Sequence, residues 1–403
     1  MHVLRQRPIL SGVDLSEAND WSDPYPHLAE IRSQGPIVWS DAWEVWLTAD
    51  HASSQGILRS PSAQRHFVPR APEPEWESFN RLNALAALDM SGDDHNRVRR
   101  TLTPIMRKDR LAQVSSLVQR EIDRLLDEVA AQTTATVDLV PSFLEPLPVN
   151  VICAVLGLPE DSRARLRAAS VLMVSAFEKI QTPAEALASQ EASRELEDYF
   201  TDLASASGAT EESGALFDLV RQSPETLSPE EVVANSVLLF NGGTGAVINA
   251  LGSGLVSLLS QGTQGRLIPS HGDSSILVAV EEMLRHETPI QLFERVAAED
   301  IEFNGVQIAR GERLALLLGG ANRDPHVFHD PDQFDIRRDP NPHLAFSAGA
   351  HFCLGAPLAR LEMQLALASI LERFPGIMLA KEPVRSPGFV VRGYDSIAVT
   401  LNA

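Results

Sequence analysis

Residues 346–360 read FSAGAHFCLGAPLAR and hold the pattern with the clearest chemistry. A single cysteine, Cys353, lies between Gly349 and Gly355, and an apolar helical pattern begins just after it. The two glycines permit tight turns and close approach of a bulky ligand. Pro357 suits the first turn of the following helix, where its missing N–H costs nothing. Cys353 would then stand at a helix N-terminus, where unpaired N–H groups and the helix dipole favour a thiolate. Such a cysteine is prepared to act as an anionic ligand or a nucleophile. A zinc site fails on arithmetic, because Cys153 is the one other cysteine and His351 provides no paired-cysteine spacing. On these residues alone, thiolate ligand, nucleophile and buried structural cysteine all stay open.

The elements that must position this segment are mostly helical. Amphipathic patterns fill most of the first 290 residues, for example 111–131, 191–206 and 278–285. Strand-like pieces fall at 37–40, 44–48, 292–297, 301–308 and 313–318. Residues 60–92 and 330–341 read as loops. The stretch 232–265 carries no charge and is long enough to span a bilayer. Its asparagines, serines and glycines, and the absence of flanking Lys/Arg clusters, favour instead a long helix through a large core. The 403 residues include 54 acidic and 34 basic side chains, a net charge of −20, which disfavours nucleic-acid binding. The two cysteines give no disulfide framework, so a reducing compartment, the cytoplasm, is expected. No leader or membrane anchor is read at the N-terminus. Without repeats or a Gly/Ser linker, residues 1–403 are expected to form one mainly α domain with small β-sheets.

The cysteine segment resembles the haem-binding signature of the cytochrome P450 family, with Phe346, Gly349, His351, Cys353 and Gly355 in place. Glu282 and Arg285 match the Glu-x-x-Arg pair of that family, and residues 321–325 and 331–338 resemble its meander. Spaced three apart on a helix, the two charges share one face and can form a single buried network. The resemblance implies the cytochrome P450 fold, one haem b ligated by the Cys353 thiolate, and oxidation of a small organic molecule. It also implies that His95, Arg99, Arg295 and His351 contact the two haem propionates, which need cationic or donor partners when buried. His343 is left open.

The central helix departs from the family pattern of two small residues, an acid and an alcohol. Here the run is Gly242, Gly243, Thr244, Gly245, Ala246. With Gly243 as the second small residue, Gly245 stands at the acid and Ala246 at the alcohol, so both proton-relay groups are missing. Thr244 should point elsewhere, since successive helical residues turn by about 100°. Three consequences are weighed: relay completed by the substrate's hydroxyl or amine with water; coupling, cyclisation or desaturation without oxygen insertion; or use of hydrogen peroxide. Alternatively, the small residues only widen the pocket. Three glycines also weaken the helix by roughly 1 kcal/mol each, so a bulge or kink is expected there.

By family position, the pocket is expected to include Leu85, Ala86, Val174, Phe177, Leu239, Ile290, Leu292, Phe293, Phe389 and Val390, each of which could equally be core. Such a lining suits a partly hydrophobic substrate. Arg65, Arg70 and Arg81 could meet a carboxylate or a carrier phosphate, or simply be solvated. Arg97, Arg100, Arg107, Lys108 and Arg110 form a basic stretch on which a ferredoxin, fed by its reductase, could dock. A non-catalytic haem-binding sensor is the competing class of protein.

Overall fold

The computed structural model describes residues 7–207, 214–262 and 275–401. The charge-free stretch forms one helix, Pro229–Ser260. It starts at a capping box: Ser228 Oγ accepts from the Glu231 N–H, and Glu231 accepts from the Ser228 N–H at 2.8 Å. These contacts satisfy end groups that the helix cannot pair internally. Its side chains are apolar almost all round, so it is stable only if wrapped. Helices Pro146–Leu156, Pro183–Ser207, Ser275–His286 and Ala356–Arg373 wrap it. Among the described residues it is the helix long and apolar enough to cross a membrane, and most of it is buried inside the protein.

The bulge expected at the glycines is absent: the helix runs unbroken from Pro229 to Ser260. A Cβ on Gly243 would lie 2.7 Å from Ile152, so this glycine lets helix Pro146–Leu156 approach closely. Burial gained at that crossing outweighs the weak intrinsic propensity.

Helices Lys108–Ala130, Pro183–Ser207 and Ser275–His286 cover the three amphipathic stretches. A second correction concerns residues 60–92, read as loop. They contain helix Glu77–Ala84, whose spacing of Phe79, Leu82 and Asn83 buries one face. The stretch 301–308 is not one strand but two, Ile301–Phe303 and Val306–Ile308, turned at Asn304 and Gly305 with φ of 51° and 78°. Asn-Gly is the pair that a tight hairpin with two positive φ angles prefers.

The main sheet has five strands in the order Val38–Ser40, Val45–Thr48, Arg313–Leu317, Leu292–Ala297, Ala63–Gln64. Only the pairing of Val45–Thr48 with Arg313–Leu317 is parallel. Alternation along Leu292–Ala297 puts Phe293 and Arg295 on one face and Leu292 on the other. The architecture is mainly α with small sheets.

Helix Ser275–His286 holds the irregular stretch that leads to the cysteine. Arg285 pairs bidentately with Glu282 at 2.7 Å, both side chains fully buried. Arg285 also donates to the carbonyls of Asn322, Pro331 and Gln333. Glu282 accepts from the Asp335 N–H at 2.8 Å and from Arg338 and Asn341. One ion pair thus replaces a strand or helix as the partner of residues 331–341.

Helix Ala356–Arg373 contains Glu362, 1% exposed, whose Oε2 meets no donor among the described residues. Burial pushes this carboxyl well above its ordinary value of 4.5. The folded protein therefore keeps a proton that the unfolded chain releases above about pH 4.5, and stability falls as pH rises. Glu362→Gln is expected to be more stable than the parent in urea at pH 8, with the gain shrinking towards pH 5.

Candidate functional site

The cysteine loop is shaped by two left-handed residues, Ser347 at φ 62° and Gly349 at φ 70°. A side chain on Gly349 would also run into the Leu58 carbonyl. Phe346 O accepts from the Cys353 N–H at 2.9 Å and closes the loop. Phe346 itself is 8% exposed, with the Arg360 guanidinium 4.4 Å from its ring centre. Arg360 is held in turn by Glu281 at 2.6 Å, which also takes His343 at 2.9 Å. His343 therefore belongs to this ion network.

Cys353 precedes helix Ala356–Arg373, and the N–H groups of Gly355 and Ala356 point at its sulfur. Burial nevertheless pushes the thiol above its ordinary value, with those N–H groups and Arg99 pulling the other way. A helix N-terminus alone does not make this thiol anionic. A Cβ on Gly355 would sit 3.9 Å from Sγ, so glycine keeps the sulfur uncovered on that side.

Beside the cysteine, three separate segments bring basic side chains together. His95 comes from helix Gly92–Leu102, Arg295 from the main sheet and His351 from the cysteine loop. The rings of His95 and His351 lie 4.1 Å apart. Arg99 donates to the Phe352 carbonyl at 2.6 Å, fixing helix Gly92–Leu102 against the loop. Burial, then the charges of His95, Arg295, Arg65 and Arg99, hold His351 down at about 3. Burial and Arg65 hold Arg295, 2% exposed, down to about 9. Asp89, already paired with Arg65, is the carboxylate that offsets this charge. Buried positive charge in such excess fits a ligand that brings carboxylates with it. The two propionates of a haem meet that requirement.

The central helix offers one accessible stripe. Leu238, Asn241, Gly242, Gly245, Ala246 and Asn249 keep contact with solvent while their neighbours along the helix are mostly buried. Their three- and four-residue spacing places them on one face. A Cβ on Gly242 or on Gly245 would meet nothing within 4 Å. Thr244 is fully buried, and its hydroxyl donates to the Asn241 carbonyl at 3.2 Å.

The pocket residues inferred from family position divide. Leu85, Val174, Phe177, Ile290 and Phe293 keep some exposure. Leu292, Phe389 and Val390 do not: they pack in a core with Leu15, Trp21 and Leu28, and Phe389 meets the Trp21 ring edge-on at 5.6 Å. Ala86 and Leu239 are also buried. Strand alternation explains Leu292, which faces away from Arg295. Asn235, overlooked in the sequence, accepts from the Ala87 N–H at 2.9 Å and donates to the Leu85 carbonyl, tying the 85–87 turn to the central helix.

The basic stretch is less free than its composition implies. Arg97 is taken by Glu231 at 2.6 Å and Arg110 by Asp218. Arg100 is exposed and donates to the Asn96 carbonyl. Arg107 is exposed and has a partner of its own, and the Lys108 side chain lies outside the described residues. Arg65, Arg70 and Arg81 are likewise occupied, by Asp89, the Ala176 carbonyl and Glu197.

A helical protein that places a lone cysteine at a helix start, with buried positive charge beside it, has the make-up of a haem–thiolate protein. The comparisons with known proteins name the group: this chain belongs to the cytochrome P450 family. The Cytochrome P450 family model matches residues 277–390. The chain is 33% identical over 389 residues to the cytochrome P450 monooxygenase PikC of Streptomyces venezuelae, covering 94% of this chain and 91% of PikC. Among solved structures, P450BioI in complex with an acylated acyl carrier protein superposes with a TM-score of 0.89 at 28% identity, covering 94% of this chain and 99% of that one. CxnD, a cytochrome P450 for C–S bond formation in chuangxinmycin biosynthesis, gives 0.84 at 28% identity, covering 94% and 95%. The family is enzymatic and carries a haem–thiolate iron.

The three glycines separate in a stability measurement. Gly243→Ala is expected to cost about 1–3 kcal/mol through the clash with Ile152. Gly242→Ala and Gly245→Ala, with open space beyond them, are each expected to gain up to about 1 kcal/mol of helix propensity. Urea unfolding of the three variants checks both signs.

Proposed function

We propose that this cytochrome P450 oxidises a small, partly hydrophobic organic molecule in a tailoring step of secondary metabolism, in the cytoplasm. Its chain 1–403 is read as one domain. Cys353 would ligate the iron of a haem b, and His95, Arg99, Arg295 and His351 would hold the two propionates, with Phe346 and Gly355 shaping the loop. The observation that supports this most directly is the excess of buried positive charge around His351, next to Cys353. Bound, a haem with a thiolate ligand supplies oxygen activation, because thiolate donation favours O–O cleavage.

The chain's own contribution is space and exclusion. From Val232 to Ser260 the central helix has no ionisable side chain. Thr244 already donates to Asn241. Protons must then arrive from the substrate's own hydroxyl or amine with ordered water, in the room left by Gly245 and Ala246. A second reading, coupling or cyclisation without oxygen insertion, draws support from the likeness to CxnD. Peroxide as oxidant is a third, weaker course. Electrons would come from a ferredoxin and its reductase, docking at the face that includes Arg100.

Cys353→Ser is expected to abolish the red-shifted carbon-monoxide band of thiolate-ligated haem, together with oxidative turnover. A purified protein that binds no haem, or keeps both properties after the substitution, refutes the assignment. Arg100→Glu is expected to slow reduction by ferredoxin several-fold at low salt, with the two proteins converging at high salt. Stopped-flow reduction over a salt series measures this.

A further inference from the structure

We propose that Asn241 is a specificity-determining residue, whose side-chain carbonyl accepts a hydrogen bond from an N–H or O–H donor on the substrate. The proposal rests on the function proposed above and narrows the substrate to molecules carrying such a donor near the site of oxidation.

Asn241 stands on the accessible stripe, directly before Gly242 and one turn before Gly245. Its amide is held at one end only. Nδ2 lies 3.4 Å from the Met173 sulfur of helix Arg163–Val174, whereas Oδ1 is shielded from water and meets no donor among the described residues. The orientation follows from chemistry. A thioether sulfur is a weak acceptor with no hydrogen to give, so the N–H end faces it. The reverse flip would set carbonyl lone pairs against sulfur lone pairs.

An amide carbonyl left unpaired in a protein interior costs more than a hydrogen bond of average quality returns. Native structures leave few such groups, and each calls for an explanation. The neighbouring polar groups do not provide one. Thr244 Oγ1 gives its proton to the Asn241 backbone carbonyl, not to the side chain. Asn235, on the same helix, has both ends satisfied by the 85–87 turn and by Glu231. Asparagine on this helix can therefore be fully paired where pairing is its purpose. At position 241 the acceptor is held in reserve, beside two positions where the absence of a side chain leaves open space. The terminal torsion of asparagine is broad and soft, so a small rotation turns Oδ1 onto the stripe. A donor bound there would lie within the space through which the substrate must also supply protons.

The test uses holoprotein whose carbon-monoxide spectrum shows intact thiolate ligation, so that loss of haem ligation is recognised separately. Three probe pairs are titrated by calorimetry: indole and 1-methylindole, decanol and decyl methyl ether, decylamine and its N,N-dimethyl derivative. For at least one pair the parent protein is expected to prefer the donor-bearing member by about threefold to tenfold, the range one hydrogen bond provides. Asn241→Leu should bring that ratio close to one, and Asn241→Asp, which keeps the acceptor, should retain it. In urea, Asn241→Leu should be at least as stable as the parent, because it deletes an unmet acceptor. Absence of any Asn241-dependent preference across the three pairs overturns the proposal, as does a clear loss of stability in Asn241→Leu, which would make the residue structural.

Discussion

The buried pair of Glu282 and Arg285 is the interaction on which the site depends. Taking two full charges out of water costs several kcal/mol for each ion, and their mutual attraction alone does not guarantee repayment. Their value lies in what surrounds them. Residues 331–341 form neither helix nor strand, yet their carbonyls and N–H groups are partly enclosed and must be paired. Arg285 provides donors in a fixed planar fork, and Glu282 provides acceptors, so one helix turn satisfies backbone from 322 to 335 and the side chains of Arg338 and Asn341. An apolar pair of equal volume would take these partners from the Asn322 and Pro331 carbonyls and from the Asp335 N–H. The stretch so held continues through Leu344, whose N–H donates to Asn322, into the loop that carries Cys353.

The central helix solves a different problem. It must be buried for stability and yet open along one face. Gly243, Gly252 and Gly254 lie against Ile152, Ile397 and Met283, so small residues there serve close packing. Gly242 and Gly245 face nothing, so the same residue type there leaves room. Glycine content alone does not distinguish these uses; the neighbour across the gap does. Packing of the first kind also explains why the helix stays straight despite its poor propensity.

Much of this was legible in the chain. The helices over 108–130, 183–207 and 275–286 follow from apolar spacing, and the strand over 292–297 from its β-branched and aromatic content. The cysteine loop and the Glu-x-x-Arg turn were visible because their residues are close in sequence. The helix over 77–84 was obscured by the Pro-, Arg- and Glu-rich residues around it. Pairings across long separations were not legible at all. Arg97 with Glu231 and Arg110 with Asp218 join residues more than a hundred positions apart, and they withdraw two arginines from a surface that composition alone presents as free. That Leu292, Phe389 and Val390 pack together with Leu15, Trp21 and Leu28 was hidden for the same reason, since these residues are far apart in the chain.

The thiol at 353 shows how two correct local arguments can be ranked only in the folded protein. The dipole and the N–H groups of Gly355 and Ala356 favour the thiolate, while burial opposes it, and burial is the larger effect. Positive charge at His95, Arg295 and His351 is similarly penalised, with His351 and Arg295 both held below their usual values. The two penalties are of opposite kinds and stand side by side: a sulfur that resists becoming an anion, and a set of cations that resist staying charged. A single group bringing a metal cation to the sulfur and carboxylates to the cationic residues relieves both at once. The frustration of each half without the other is the physical ground for the proposal that these residues share one cofactor site.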